Sequence, residues 1–146
     1  MGKKNDHCDY SQCPVACALD IIGDRWTLLV IRDLLFTGRH EYKDMLSSDE
    51  GISTNILADR LKQLQSRGII ASVPHPENKT RKLYYLTQPG KDLIHVMIQI
   101  AIWADKHLTG VVSIPTDTRD LLINNTGAMI QYTLQELEKW EKEFIV

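Results

Sequence analysis

The chain has 146 residues, of which 43% are hydrophobic and 25% are charged, with a formal net charge of −2 at pH 7. This is ordinary globular composition, enough for a single core of normal size. No apolar run approaches the roughly eighteen residues that a membrane span requires, since Gln99 interrupts the best candidate. The N-terminus is polar and carries no recognisable targeting signal, so we expect a cytoplasmic protein without a membrane partner.

The first part of the chain has the pattern of successive helices. Pro14 suits a first helical position, and apolar residues follow it at helical spacing to Ile22. Gly23 and Asp24 break this pattern before a strongly apolar helix that stops at 37–38. A two-turn helix is predicted over 40–46. Ser53 is a good N-cap for the next helix, which ends near Gly68.

The second part begins with a hairpin. Two β-prone runs, 69–73 and 83–86, flank a polar turn and predict two paired strands. A long amphipathic helix is expected to run to about Leu108, and a last helix over roughly 127–143. We predict that 109–126 joins these two helices irregularly.

Two short helices joined by a turn, followed at once by a hairpin, are typical of a winged helix-turn-helix. Between Ser53 and Lys91 the chain has seven basic and two acidic residues, whereas from Thr116 to the end six acids outweigh three bases. We therefore predict a mainly α fold with a two-stranded β wing, whose hairpin side is basic.

The helix after Ser53 has a polar side that could contact DNA. Leu57, Leu61 and Leu64 set its buried direction, and Asn pairs with adenine while Thr and Ala contact thymine methyl groups. Nearby cations suit phosphate contacts. The predicted DNA-binding residues are Arg39, Lys43, Ser53, Thr54, Asn55, Ala58, Arg60, Lys62, Lys79, Arg81 and Lys82.

Over roughly residues 13–108 the chain resembles the HxlR family of bacterial winged-helix regulators. The similar stretches are Cys13-Pro14-Val15, Ile22-Gly23-Asp24-Arg25-Trp26-Thr27-Leu28-Leu29, Gly51-Ile52-Ser53, Leu57-Ala58-Asp59-Arg60-Leu61-Lys62-Gln63-Leu64 and Gly68-Ile69-Ile70. Tyr42-Lys43-Asp44-Met45 departs from the family's Phe-x-Glu-Leu, and the wing tip Asn78-Lys79-Thr80 is not proline-rich. The operator sequence therefore cannot be carried over from the family.

The resemblance implies a homodimer joined through N-terminal and C-terminal helices, namely the first helix and the long helix after the wing. Such a dimer would read a palindromic operator in double-stranded DNA, with half-sites about one helical turn apart. We accordingly divide the chain into a mobile tail (1–12), a winged helix-turn-helix domain with its dimerisation helix (13–108), and a C-terminal helical extension (109–146).

All three cysteines lie in the first seventeen residues, which argues against a disulfide-stapled secreted fold. The resemblance places Cys13 where some HxlR-type regulators have a redox-sensing cysteine. A thiol at a helix N-terminus faces the positive end of the helix dipole, so its thiolate is favoured and can react with an oxidant or electrophile. An inert packing role is the alternative. His7, Cys8, Cys13 and Cys17 match no usual zinc spacing, and we predict no metal or cofactor.

No catalytic or nucleotide-binding motif is present, so we do not expect an enzyme. The internal histidines are expected at the surface or scattered on helices: His40, His75, His95 and His107. The leading interpretation is a sequence-specific DNA-binding regulator, a repressor or a dual regulator. Two alternatives stay open: a winged-helix protein-interaction module, and a ligand sensor whose interhelical pocket is lined by Trp26, Met97 and Trp103.

Overall fold

The computed structural model describes residues 11–145. Most of the predicted tail, with His7 and Cys8, therefore lies outside the described residues. The helices are α1 (Pro14–Ile22), α2 (Arg25–Arg32), α3 (Tyr42–Leu46), α4 (Thr54–Ser66), α5 (Gln88–Asp92), α6 (Ile94–His107), α7 (Thr116–Asn124) and α8 (Thr126–Phe144). The strands are β1 (Ile70–Pro74) and β2 (Lys82–Leu86), and a π-helical turn spans Asp33–Thr37. No helix in this part of the chain is both long and apolar enough to cross a bilayer.

The core is built around α2 and the π turn that continues it. Asp24 caps α2, because its carboxylate accepts the Thr27 amide N–H at 3.0 Å. Ile31 and Leu34 are fully buried and belong to one cluster with the inward leucines of α4. Burying a side chain of this size contributes about 2 kcal/mol, so this cluster fixes how α2 and α4 lie against each other.

The wing is the antiparallel hairpin of β1 and β2, in which Ile70 pairs with Leu86 and Pro74 with Lys82. The predicted hairpin is thus confirmed, with its bounds shifted by one residue. The segment before α3 holds β2 from outside: the Tyr84 amide donates to the His40 carbonyl at 2.8 Å, and His40 Nδ1 lies 2.9 Å from the Tyr84 carbonyl. The surface position predicted for His40 is wrong, because this contact and Trp140 of α8 bury its ring.

Two expectations for the C-terminal part need correction. The long helix after the wing is two helices, since a tight turn at Leu93, whose N–H donates to the Gly90 carbonyl, separates α5 from α6. The segment predicted as irregular contains α7, whose Leu122 is buried. Leu122 of α7 and Leu137 of α8 belong to the same hydrophobic cluster as Leu34. The inner faces of both helices therefore pack against the chain's own core.

Gly90 marks a close approach between α5 and the start of the wing. A Cβ at this position would collide with the carbonyl oxygen of Ile69 and lie 2.9 Å from a methyl carbon of Leu86. Gly127, in the first turn of α8, has open space where its Cβ would be.

We predict that Gly90→Ala lowers the free energy of unfolding by about 1–3 kcal/mol, because the backbone must move to relieve the collision. Gly127→Ala is the matched control and should leave this free energy unchanged or raise it by about 0.5 kcal/mol. Urea unfolding of both variants measures the difference. Equal stabilities would contradict the close approach of α5 to the wing.

Candidate nucleic-acid interface

The outward face of α4 carries the residues predicted to read bases. Leu57, Leu61 and Leu64 are buried as predicted, which turns the opposite side of the helix to solvent. Thr54, Asn55, Ala58 and Lys62 are all exposed on that side. Their side chains are short or flexible, so this helix could approach a duplex closely.

The N-terminus of α4 is held in place from two sides. Ser53 is its N-cap, and the Ser53 hydroxyl accepts the Ile56 amide N–H at 3.3 Å. The Tyr42 hydroxyl of α3 donates to the Thr54 carbonyl at 3.1 Å. Ser53 is thus engaged in capping, and α3 supports the end of α4 that presents Thr54 and Asn55.

Arg60 locks α4 to α2. Its Nε and Nη2 donate to the two carboxylate oxygens of Asp24 at 2.8 and 3.1 Å, and its Nη1 donates to Asp59 at 2.7 Å. Mainly because of the Arg60 hydrogen bonds, the pKa of Asp24 falls from 3.8 to about 2. Arg60 was predicted to contact phosphate, but its guanidinium group is bonded to Asp24 and Asp59 and therefore positions α4.

Two clefts run between the helices and the wing. The helix–wing cleft, about 440 Å³, is lined by Ala58 and Lys62 of α4 and by Lys82 and Tyr84 of β2. The α3–wing cleft, about 360 Å³, is lined by Lys43, Arg81, Lys82 and Tyr84, with Tyr42 common to both. The structure thus brings Lys43, Ala58, Lys62, Arg81 and Lys82 together around one surface.

The predicted cations differ in their availability. Arg81 Nε donates to Glu41 at 2.8 Å, and Arg39 Nη1 lies 3.3 Å from Asp33. Lys43, Lys62, Lys79 and Lys82 are exposed, and none of them forms an ion pair within residues 11–145. The lysines are therefore more available than the arginines to contact phosphate groups.

Comparison with known proteins identifies the family. The model of the HxlR-like helix-turn-helix family matches residues 21–111. The chain belongs to this family. It is 34% identical over 94 residues to the HTH-type transcriptional regulator Rv3095 of Mycobacterium tuberculosis, which covers 64% of the chain and 58% of Rv3095. The chain thus spans less than two thirds of that relative's length.

A second family relative is YodB of Bacillus subtilis, 32% identical over 97 residues that cover 66% of the chain and 86% of YodB. Among solved structures, PA1607 shares 33% identity with a TM-score of 0.66, covering 77% of this chain and 76% of its own. The reduced form of the transcriptional regulator YodB follows with 31% identity and a TM-score of 0.53, covering 66% and 95%. Diamide-treated YodB gives a TM-score of 0.50 at 32% identity, covering 65% and 94%. The fold is therefore a winged helix-turn-helix.

The sequence patterns did not predict the ion pairs that Arg32 forms near the loop before α4. Arg32 binds both carboxylate oxygens of Glu50 at 2.8 and 2.9 Å and also contacts Asp33 at 2.7 Å. The hydrogen bonds from Arg32 lower the pKa of Glu50 to about 2. This pair anchors the loop before α4, but the two residues are eighteen positions apart and no local spacing rule predicts their contact.

We predict that Arg60→Gln lowers the free energy of unfolding by about 1 kcal/mol at pH 7, a modest value because the pair is partly exposed. Since the pKa of Asp24 is lowered by folding, its stabilisation is present above pH 3.8 and is lost as the pH falls towards 2. The difference from the unmodified chain should therefore narrow between about pH 4 and about pH 2, as measured by urea unfolding.

Lys62→Gln is the matched control on the same helix and should change the stability by less than about 0.5 kcal/mol. If both variants unfolded alike at each pH, Arg60 would have no positioning role.

Proposed function

We propose that this chain is a sequence-specific DNA-binding transcriptional regulator, a repressor, and not an enzyme. The observation that carries the proposal is the exposed face of α4, with Asn55 and Ala58, beside a cleft that unpaired lysines line. In this arrangement α4 enters the major groove, Thr54, Asn55 and Ala58 meet base edges, and the wing follows the neighbouring backbone. The relatives named above are described as transcriptional regulators, which supports it.

The lysines supply affinity and the N-terminal end of α4 supplies sequence preference. Each lysine that neutralises a phosphate releases counterions, so the logarithm of the binding constant falls with the logarithm of salt concentration. This salt-dependent part of the affinity comes from the four exposed lysines, Lys43, Lys62, Lys79 and Lys82. Arg39, Arg60 and Arg81 are held by carboxylates of the chain, and we assign them a smaller share.

The proposed regulator is a homodimer that reads a palindromic operator. Apolar side chains on two helices face solvent in the single chain: Val15 and Leu19 of α1 are 65% and 58% exposed, and Trp103 of α6 is 59% exposed. Val96 and Ile100 extend the α6 face. Apolar surface of this kind is typical of an interface between protomers, and the family resemblance points to the same two helices.

We expect selection from a pool of random duplexes to enrich a palindrome with half-sites about one helical turn apart. On that site, Lys62→Gln should reduce the salt slope by about one unit, because one phosphate contact is lost. Asn55→Ala should cost about 1–3 kcal/mol and relax the preference at a single base pair. Fluorescence anisotropy over a salt series measures both quantities.

Lys142→Gln, which changes an exposed lysine of α8 outside both clefts, is the control and should bind like the unmodified chain. Absence of any enriched sequence, with weak binding that ignores salt, would overturn the DNA-binding proposal and favour the protein-interaction module.

We further propose that Cys13 switches DNA binding when its thiol is oxidised or alkylated. Cys13 is exposed at the N-cap of α1, so an oxidant or electrophile can reach its thiol. Because α1 is part of the proposed dimer interface, modification there would shift the two copies of α4 relative to each other. That YodB has been solved in reduced and diamide-treated forms supports thiol chemistry in this family.

Diamide should oxidise two Cys13 thiols to one disulfide between protomers and lower operator affinity at least about tenfold, a change of 1.4 kcal/mol. Cys13→Ser should bind the operator before and after treatment, whereas Cys17→Ser should still respond. Anisotropy with non-reducing electrophoresis measures both effects. A Cys13→Ser variant that loses affinity like the unmodified chain would refute the switch.

A further inference from the structure

A third cleft lies between the π turn and α8. It shares no lining residue with the helix–wing and α3–wing clefts, which together form the surface that we propose faces DNA, the DNA-facing surface. It has a volume of about 350 Å³, within the range of small-molecule sites. A pocket beside Trp26 has only about 10 Å³ of space and is lined by neither Met97 nor Trp103, and Trp103 is exposed on α6. The cleft at α8, which we call the aromatic cleft, is therefore the ligand-sized space that the proposed DNA contacts leave free.

Planar rings form its walls. The rings of His40 and Trp140 stack with centroids 3.6 Å apart and an interplanar angle of 12°. Tyr132 and Phe36 also line the cleft, and Tyr132 is 61% exposed. Tyr132, Glu136 and Trp140 follow one another at four-residue spacing and so form one stripe of α8. An aromatic ligand could pack against rings here without forcing a core side chain aside.

Two polar groups of the cleft can accept a hydrogen bond from a ligand. A carbonyl can only accept, so the 2.9 Å contact to Tyr84 requires His40 Nδ1 to carry the proton. Burial lowers the pKa of His40, which keeps the ring neutral and leaves Nε2 as an acceptor. The Glu136 carboxylate is a second acceptor, bonded to Lys139 at 2.7 Å. No lysine or arginine lines the cleft, and the adjacent Lys139 is already paired with Glu136, so an anionic ligand would meet a carboxylate without a free cation beside it.

We propose that the aromatic cleft binds a small, uncharged, planar aromatic molecule that carries one hydrogen-bond donor. The ligand lies against Tyr132 and the edge of the His40–Trp140 stack and donates to His40 Nε2 or to the Glu136 carboxylate. The π turn contributes the opposite wall; turns of this kind occur frequently at functional sites.

Occupancy of the cleft can be transmitted to the DNA-facing surface. His40 contacts β2 through both hydrogen bonds to Tyr84, and the Tyr84 side chain lines the helix–wing and α3–wing clefts. A ligand that moves the His40 ring therefore acts on the strand that also presents Lys82. This step rests on the proposed DNA-binding function, whereas ligand binding itself does not.

Isothermal titration calorimetry on the full chain with indole, 1-methylindole and indole-3-carboxylate tests the binding step. Indole has the ring and the donor, 1-methylindole lacks the donor, and indole-3-carboxylate adds a negative charge. We expect a dissociation constant below about 1 mM for indole and values at least about tenfold higher for the other two. No binding of indole at 5 mM, or equal binding of all three, would overturn the proposal.

Two exposed residues of α8 locate the site. Tyr132→Ala should weaken indole binding at least about fivefold, whereas the neighbouring Gln131→Ala, which does not line the cleft, should leave it unchanged. Thermal melting checks that both variants fold. If Tyr132→Ala binds indole like the unmodified chain, indole binds elsewhere and the proposal fails.

Indole at saturation should change operator affinity, and by linkage the operator should change indole affinity by the same factor. Indole binding without any enriched operator would refute the proposed function but not the ligand site. An enriched operator without indole binding would refute the ligand site but not the proposed function.

Discussion

The burial of the leucine stripe of α4 against α2 and the π turn is the constraint on which the rest of the structure depends. A helix advances 100° per residue, so burying Leu57, Leu61 and Leu64 leaves the opposite face of α4 no orientation other than outward. The ion pair between Arg60 and Asp24, the N-cap of α2, then holds α4 at the N-terminal end of α2. The hydrophobic contact thus sets the direction of the residues that we propose face DNA, and the Asp24–Arg60 ion pair sets their position.

Local patterns were sufficient for much of this fold. The N-cap at Ser53, the leucine spacing and the two β-prone runs are properties of neighbouring residues, and the structure confirms the elements that they predict. The order of these elements, two short helices followed at once by a hairpin, predicted the winged arrangement, and the family resemblance agreed with it. Helix α7 escaped prediction because nine residues with a single buried apolar side chain, Leu122, give too weak a periodicity.

The candidate site was only partly accessible from sequence. A count of charges between Ser53 and Lys91 shows a basic surface, but it cannot show that Arg60 and Arg81 are bound to Asp24 and Glu41. Those partners lie 36 and 40 residues away in the chain. Arginine's planar fork suits such bidentate pairs, whereas lysine's flexible ammonium group suits mobile phosphate contacts. The structure follows this division: three predicted arginines are paired, and the four predicted lysines are free of ion pairs within the described residues.

The two helices after α6, α7 and α8, extend the hydrophobic core. Leu122 and Leu137 close the hydrophobic cluster, and Lys91 of α5 pairs with Glu141 of α8 at 2.9 Å, so α8 is tied to the element that follows the wing. Its stacked Trp140 covers His40, which in turn holds Tyr84 of β2. Displacement of α8 would expose the His40 ring, whose Nδ1 is hydrogen-bonded to the Tyr84 carbonyl of β2. The packing of the C-terminal helix and the position of β2, the strand that we propose faces DNA, are therefore coupled through His40.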